Sequence, residues 1–177
     1  MRHINYEATM FSRFVFSDTR LSLVWLVVRL YVGWEWFSAG IVKMQNPLWW
    51  GDGAGAPLAG FIQGALQKTT GLHPDVQMWY ASFLQNYVLP HVVTWSNLVA
   101  LGEVLVGVAL LAGFLVGVAA FFGAFMNFNY LLAGTVSMNP TFFFLGILLI
   151  LAWRISGYLG FDYYVLPKMR SFFGSRK

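Results

Sequence analysis

Between Glu103 and Arg154 the chain carries no charged residue. About 20 apolar residues, rising 1.5 Å each as a helix, cross the roughly 30 Å hydrocarbon core of a bilayer. The run is therefore long enough for more than two crossings. It divides at GFLVG (113–117) and SMNP (137–140), where Gly and Pro interrupt a helix. This predicts helices over about 94–115, 117–136 and 141–157, with Pro140 at the start of the last. A soluble domain carries about 25% charged residues. Here 10% are charged and 58% hydrophobic, with a mean hydropathy of +0.63. The expectation is an all-α integral membrane protein, a single membrane domain over 1–177 built as a bundle of four transmembrane helices.

The first of these helices is RLSLVWLVVRLYVGWEWFSAGIVK, spanning about 20–42. Arg29 and Glu35 sit near its middle, where a charge costs a few kcal/mol unless it is paired or faces a polar cavity. The outer loop, 45–93, opens with the helix-breaking QNPLWWGDGAGAP. It continues with two amphipathic stretches that are too short to span, so short interfacial helices are expected there. Residues 1–19 form a mixed arm without a cleavable signal pattern, and 158–177 an aromatic, basic tail. Arg2, Arg13 and Arg20 precede the first span, and Arg154, Lys168, Arg170, Arg176 and Lys177 end or follow the last. Only Lys43 and Lys68 lie in the long loop region. The bias of Lys and Arg toward the cytoplasm predicts a multi-pass cell-membrane protein with both termini inside. The net charge of +4 lies at the chain ends, which reads as topology and not as nucleic-acid binding.

At 100° per residue, Arg29, Gly33, Trp36, Gly40 and Lys43 share a face of the first helix. Ser96, Ala100, Glu103 and Gly107 share one on the second, and Ala120, Gly123, Asn127, Tyr130 and Gly134 one on the third. Counted from the outer surface, Glu35, Glu103, Asn127 and Asn129 fall at about 12–15 Å depth, with Arg29 about 9 Å deeper. A cluster of Arg29, Glu35, Glu103 and the asparagines follows, in which one glutamate holds a proton. The cluster serves either as a functional cavity or as an ion pair that sets helix register. Lys43 either snorkels to the surface or binds an anion. GDGAG (51–55) is either an anion nest or a turn. His73 and His91 flank prolines in the outer region and suit surface or capping roles. The absence of cysteine excludes thiolate catalysis and disulfides within this chain. No haem, flavin or metal motif is evident.

Several stretches together resemble the DoxX/DoxD family of four-helix membrane proteins. They are GWEWFSAGIVKMQNPLWW, GFIQGAL, YASFLQNYVLPH, ALGEVLVGVALLAG, GAFMNFNYLLAGTVSMNP and GYLGFD. The resemblance covers about residues 20–165. It is nearest to the DoxD-type membrane (large) subunit of a thiosulfate:quinone oxidoreductase. It implies oxidation of thiosulfate to tetrathionate, with quinone as electron acceptor and a small second subunit as partner. Carried onto this chain, Glu35, Glu103 and Arg29 become the catalytic candidates, and Lys43 with Arg29 the candidates for binding the oxyanion. Trp36, Asn127 and Asn129 become the candidate quinone contacts, and no metal site is expected. The alternative is a non-catalytic member of the family that binds a small ligand or lipid, or supports a redox partner. Membrane lipid is an expected partner in either case, and the small-residue faces also suit a homo-oligomer.

Overall fold

The computed structural model describes residues 10–174, all of whose regular elements are helical. Arg2, Arg176 and Lys177, on which part of the topology expectation rests, lie outside the described residues. Helix α1 (Met10–Ser17) leads through a short turn, capped by the Asp18 carboxylate on the Arg20 N–H at 2.9 Å, into α2 (Ser22–Met44). In the long connection after α2, α3 (Ala56–Leu66) starts just after Gly55, whose φ of 120° only glycine adopts without strain. Helix α4 (Met78–Phe83) runs on through a π-helical stretch, Leu84–Val88, and a 3-10 turn around Pro90 into α5 (Val92–Ala112). Pro90 lacks an N–H and crowds the carbonyl four residues back, which accounts for the irregular ladder there.

Helix α5 ends at Gly113, with φ 69° and a Schellman closure in which Phe114 N donates to Ala109 O. Helix α6 (Val116–Leu132) follows at once. After the turn at Gly134 come α7 (Asn139–Leu151), with Pro140 in its first turn, and the short α8 (Trp153–Ser156). Helix α9 (Asp162–Gly174) closes the described chain. The four long helices fall within a few residues of the sequence expectation, except that the last breaks at Ala152. The two short helices expected between 45 and 93 are α3 and α4.

Helices α2 and α5 run antiparallel and touch backbone to backbone. A Cβ on Gly40 would lie 2.6 Å from Val104 N, and one on Gly107 would collide with Phe37 N and Cα. Such close approach lets dispersion act over the whole crossing. The main core joins Trp25, Val32, Trp36, Leu110, Val116 and Leu149. A second core under α3 and α4 joins Leu58, Ile62, Val76, Tyr80, Leu84 and Ala133. One continuous helical stretch, Met78–Ala112, is long and apolar enough to cross a membrane, and α6 and α7 are shorter apolar helices.

Candidate functional site

The three small-residue faces read from the sequence turn inward: Arg29, Gly33, Trp36 and Gly40 on α2, Ser96, Ala100, Glu103 and Gly107 on α5, and Ala120, Gly123 and Asn127 on α6 are buried. Their meeting makes two polar centres at opposite ends of the bundle.

At one end, Lys43 Nζ donates to Glu103 Oε2 at 2.6 Å. Glu103 is only 2% exposed, while the Lys43 side chain keeps 21% of its surface. The Lys43 ammonium also sits over the Trp49 ring, 5.2 Å from its centroid. The Tyr130 hydroxyl donates to the other oxygen, Glu103 Oε1, at 2.9 Å. Glu103 is thus a bridge between a half-open cation and a phenol in the interior. The closeness of α2 and α5 at Gly40 permits this, since its missing Cβ brings the Glu103 backbone within the reach of Lys43.

Tyr130 also faces a cavity of about 940 Å³ between α5, α6 and the α3–α4 cover. Leu105, Val108, Phe122 and Phe125 are among its walls, and its polar residues are Tyr80, Asn129 and Tyr130. The Tyr80 hydroxyl donates to Asn129 O at 3.0 Å and reaches Asn129 Oδ1 at 3.1 Å. The cavity continues past Ala112 to Phe114 and Phe161 near the opposite end. It is a long apolar groove with hydroxyl and amide groups gathered toward one end.

At the opposite end of the bundle, Arg29 is 2% exposed and its Nη2 donates to Leu159 O at 3.1 Å. The guanidinium lies against Gly113 and Gly160, where a Cβ on either residue would overlap it. Nε and Nη1 make no hydrogen bond among the described residues. Beside it, the buried Asp162 carboxylate accepts from Leu115 N at 2.6 Å and Val116 N at 2.9 Å. These are orphan donors of the first turn of α6, so Asp162 caps that helix from across the fold.

The expected meeting of Arg29, Glu35 and Glu103 does not occur. Gly113, which touches Arg29, is ten residues beyond Glu103 on α5, about 15 Å along the axis. Lys43, not Arg29, reaches Glu103. Glu35 is exposed on the far side of α2. Of the expected quinone contacts, Asn129 lines the groove, whereas Trp36 and Asn127 do not. Trp36 packs on Gly123, and the buried Asn127 has its Nδ2 unbonded among the described residues. Tyr130 lay on the face read from the sequence but was not singled out as a site residue. Tyr80 and Asp162 were also missed, and the only signal was their place in the stretches YASFLQNYVLPH and GYLGFD. In GDGAG, Gly51 N donates to Asn97 Oδ1 at 2.9 Å and Gly55 N to Leu48 O at 2.8 Å. Those amides serve a turn, not an anion. His73 and His91 are exposed.

Among known proteins, a family model described as "TQO small subunit DoxD" matches residues 24–176. Its description says small subunit, where the resemblance had implied a large one. No curated protein and no solved structure matches the chain.

Proposed function

The chain belongs to the DoxD family, and on that premise we propose that it is a four-span membrane subunit of a thiosulfate:quinone oxidoreductase. The reaction joins two thiosulfates through a new S–S bond to give tetrathionate, releasing two electrons. Quinone takes up those electrons with two protons. The observation that carries the reading is Glu103, buried between Lys43 at the mouth and Tyr130 at the groove.

The groove fits an isoprenoid quinone in chemistry and size: its wall is apolar, and its few polar side chains are grouped. Bound there, a quinone would supply the two-electron acceptor. The chain's own residues would handle the protons. Tyr130 lines the groove with its one hydroxyl proton directed to Glu103 Oε1, so a proton delivered to the groove would leave Tyr130 Oη and be replaced through Glu103. Lys43 Nζ holds Glu103 in place and offers positive charge at the mouth, where a sulfur oxyanion would approach. Asn129 and Tyr80 are the remaining polar contacts on the wall. A second subunit would complete the enzyme.

Four crossings are supported by the antiparallel run of α2, α5, α6 and α7. Arg13, Arg20 and Arg154 are on elements at the Arg29 end of the bundle, which supports a cytoplasmic face there. Lys43 and Lys68 would face outward.

A second reading draws on the almost wholly apolar groove wall: a lipid acyl chain occupies the groove and the chain supports a redox partner without catalysis. Thiosulfate-dependent reduction of a short-chain quinone separates the two. The assay uses the chain in nanodiscs with the subunits that co-purify with it. Activity lost in folded Tyr130→Phe and Glu103→Gln variants supports the oxidoreductase reading. Absence of activity in the complete complex defeats it.

A further inference from the structure

Glycine is a poor helix former, so each one inside a long helix calls for a reason. For Gly33, Gly40, Gly107, Gly117, Gly123 and Gly146 the reason is packing: an added Cβ would lie 3.1 Å or less from an atom of a facing element. Gly102 on α5 is different. Its Cβ would meet only the Met126 Sδ, at 3.5 Å, an ordinary contact with the end of a flexible side chain. Nor does Gly102 carry a positive φ. It opens onto the long apolar groove, one residue before the Glu103 to which Tyr130 is bonded. Packing within the chain does not require its missing side chain, so the space belongs to something in the groove.

The groove stays narrow-sided but clear along α5. Ala109 and Ala112 line it beyond Gly102, and Ala119 lines it from α6, between the larger Leu105, Val108, Phe122 and Phe125. From Gly102 to Ala112 is about 15 Å of helix. An isoprenoid unit advances four C–C bonds of about 1.5 Å, or roughly 5 Å when extended. The hydroxyl and amide groups of Tyr80, Asn129 and Tyr130 stand at one end, and no cationic side chain is among the described residues of the wall. That end suits a neutral ring with carbonyl oxygens and not the phosphate of a lipid headgroup, which calls for Arg or Lys.

Resting on the proposed function, we infer that the groove selects its quinone by the tail. Gly102 gives the ring its seat next to Tyr130. Roughly three isoprenoid units then lie along Ala109, Ala112 and Ala119 toward Phe161. Units beyond these leave the groove past Phe114 and Phe161 and add nothing. Lipid is as apolar as the groove wall, so the tail gains by close packing and not by leaving water, and the gain per unit is modest.

The probe is a series of oxidised quinones that share one ring and carry from no tail to six isoprenoid units, added to the chain in nanodiscs. Binding is read by quenching of tryptophan fluorescence, with quinone expressed per lipid so that partitioning into the bilayer cancels. The expected affinity rises about tenfold from no unit to three and is then level. An affinity independent of the tail, or one still climbing from the third unit to the sixth, overturns the inference. Ala109→Phe obstructs the groove about 10 Å from Gly102 and is expected to cost the three-unit quinone about tenfold more affinity than the tailless one. Val108→Trp, at a wall position with 47% of its surface free, gives the same reading without pressing on the core. Equal losses for the two quinones in the folded variants overturn the path of the tail. Gly102→Ala adds one methyl where only Met126 stands, and is expected to lower affinity about threefold for every quinone in the series. Unchanged affinity there overturns the seat of the ring. Turnover in the complete complex tests the functional reading separately. A quinone bound with this tail dependence but never reduced defeats the oxidoreductase reading and upholds the selectivity, whereas no binding of any quinone defeats both.

Discussion

Lys43 Nζ stands 2.6 Å from Glu103 Oε2, across sixty positions of sequence, with the carboxylate sealed and the ammonium half open. The unequal burial makes the two halves of this pair unequal on removal. Lys43→Met strands an acid that is 2% exposed, which costs about 3–5 kcal/mol unless it takes up a proton. Glu103→Gln keeps a hydrogen-bond acceptor for Tyr130 and frees a lysine that can swing to the surface, costing about 1 kcal/mol. Thermal unfolding in detergent checks this, and equal losses in the two variants would contradict it.

Gly40 should be intolerant of any side chain. A Cβ there would press on Val104 N at 2.6 Å, a helix backbone atom that cannot yield alone, and on Glu103 Cβ at 3.0 Å, which is fixed to that backbone. Gly40→Ala is expected to lose about 1–3 kcal/mol and to loosen the Lys43–Glu103 contact with it. Gly60→Ala is the control, since nothing lies within 4 Å of a Cβ in that part of α3. It should be neutral or more stable by about 0.5–1 kcal/mol.

Asp162 holds the start of α6 from the far end of the chain. Asp162→Ala leaves Leu115 N and Val116 N without the carboxylate that accepts from both. The loss should be about 1–2 kcal/mol, with Asp162→Asn intermediate because one oxygen remains. Amide hydrogen exchange should quicken first at 115–117. Uniform quickening across α6 would mean the cap is not the local anchor.

Tyr130→Phe removes one hydroxyl and leaves the groove's shape. A stability change of about 1 kcal/mol is expected from the lost hydrogen bond to Glu103. On the proposed function, quinone reduction falls by about 10²-fold or more, the range of a lost proton donor. A variant with full activity would remove Tyr130 from the proton route and leave it a structural partner of Glu103.

The inward faces were readable because helical periodicity and residue size are local properties. Gly33 and Gly40 on α2, and Gly107 with Ala100 on α5, recur at spacings that a 3.6-residue turn stacks on one side of each helix, and closely crossing helices require small residues there. Glu103 was readable for a related reason, as an isolated acid in an apolar helix. Asp162 was not, since its role depends on a fold that returns the chain to the Gly113–Val116 turn, and no local pattern records that return.

The sequence by itself determined the four long helices, their breaks at Gly113, Pro140 and the QNP turn, and the inward side of α2, α5 and α6; the stretch it read as a tail forms α9. Short-range sterics and hydrophobic periodicity suffice for those. Only the tertiary structure decided which charges meet. Depth along a helix narrows the possible partners, but rotation decides between them. Glu35 lies at nearly the depth expected for Glu103, yet it is turned away from α5, while Lys43 reaches down past the vacant Cβ position of Gly40. A pairing between helices rests on relative rotation, stagger and close approach, and those are set by the packing of the whole bundle.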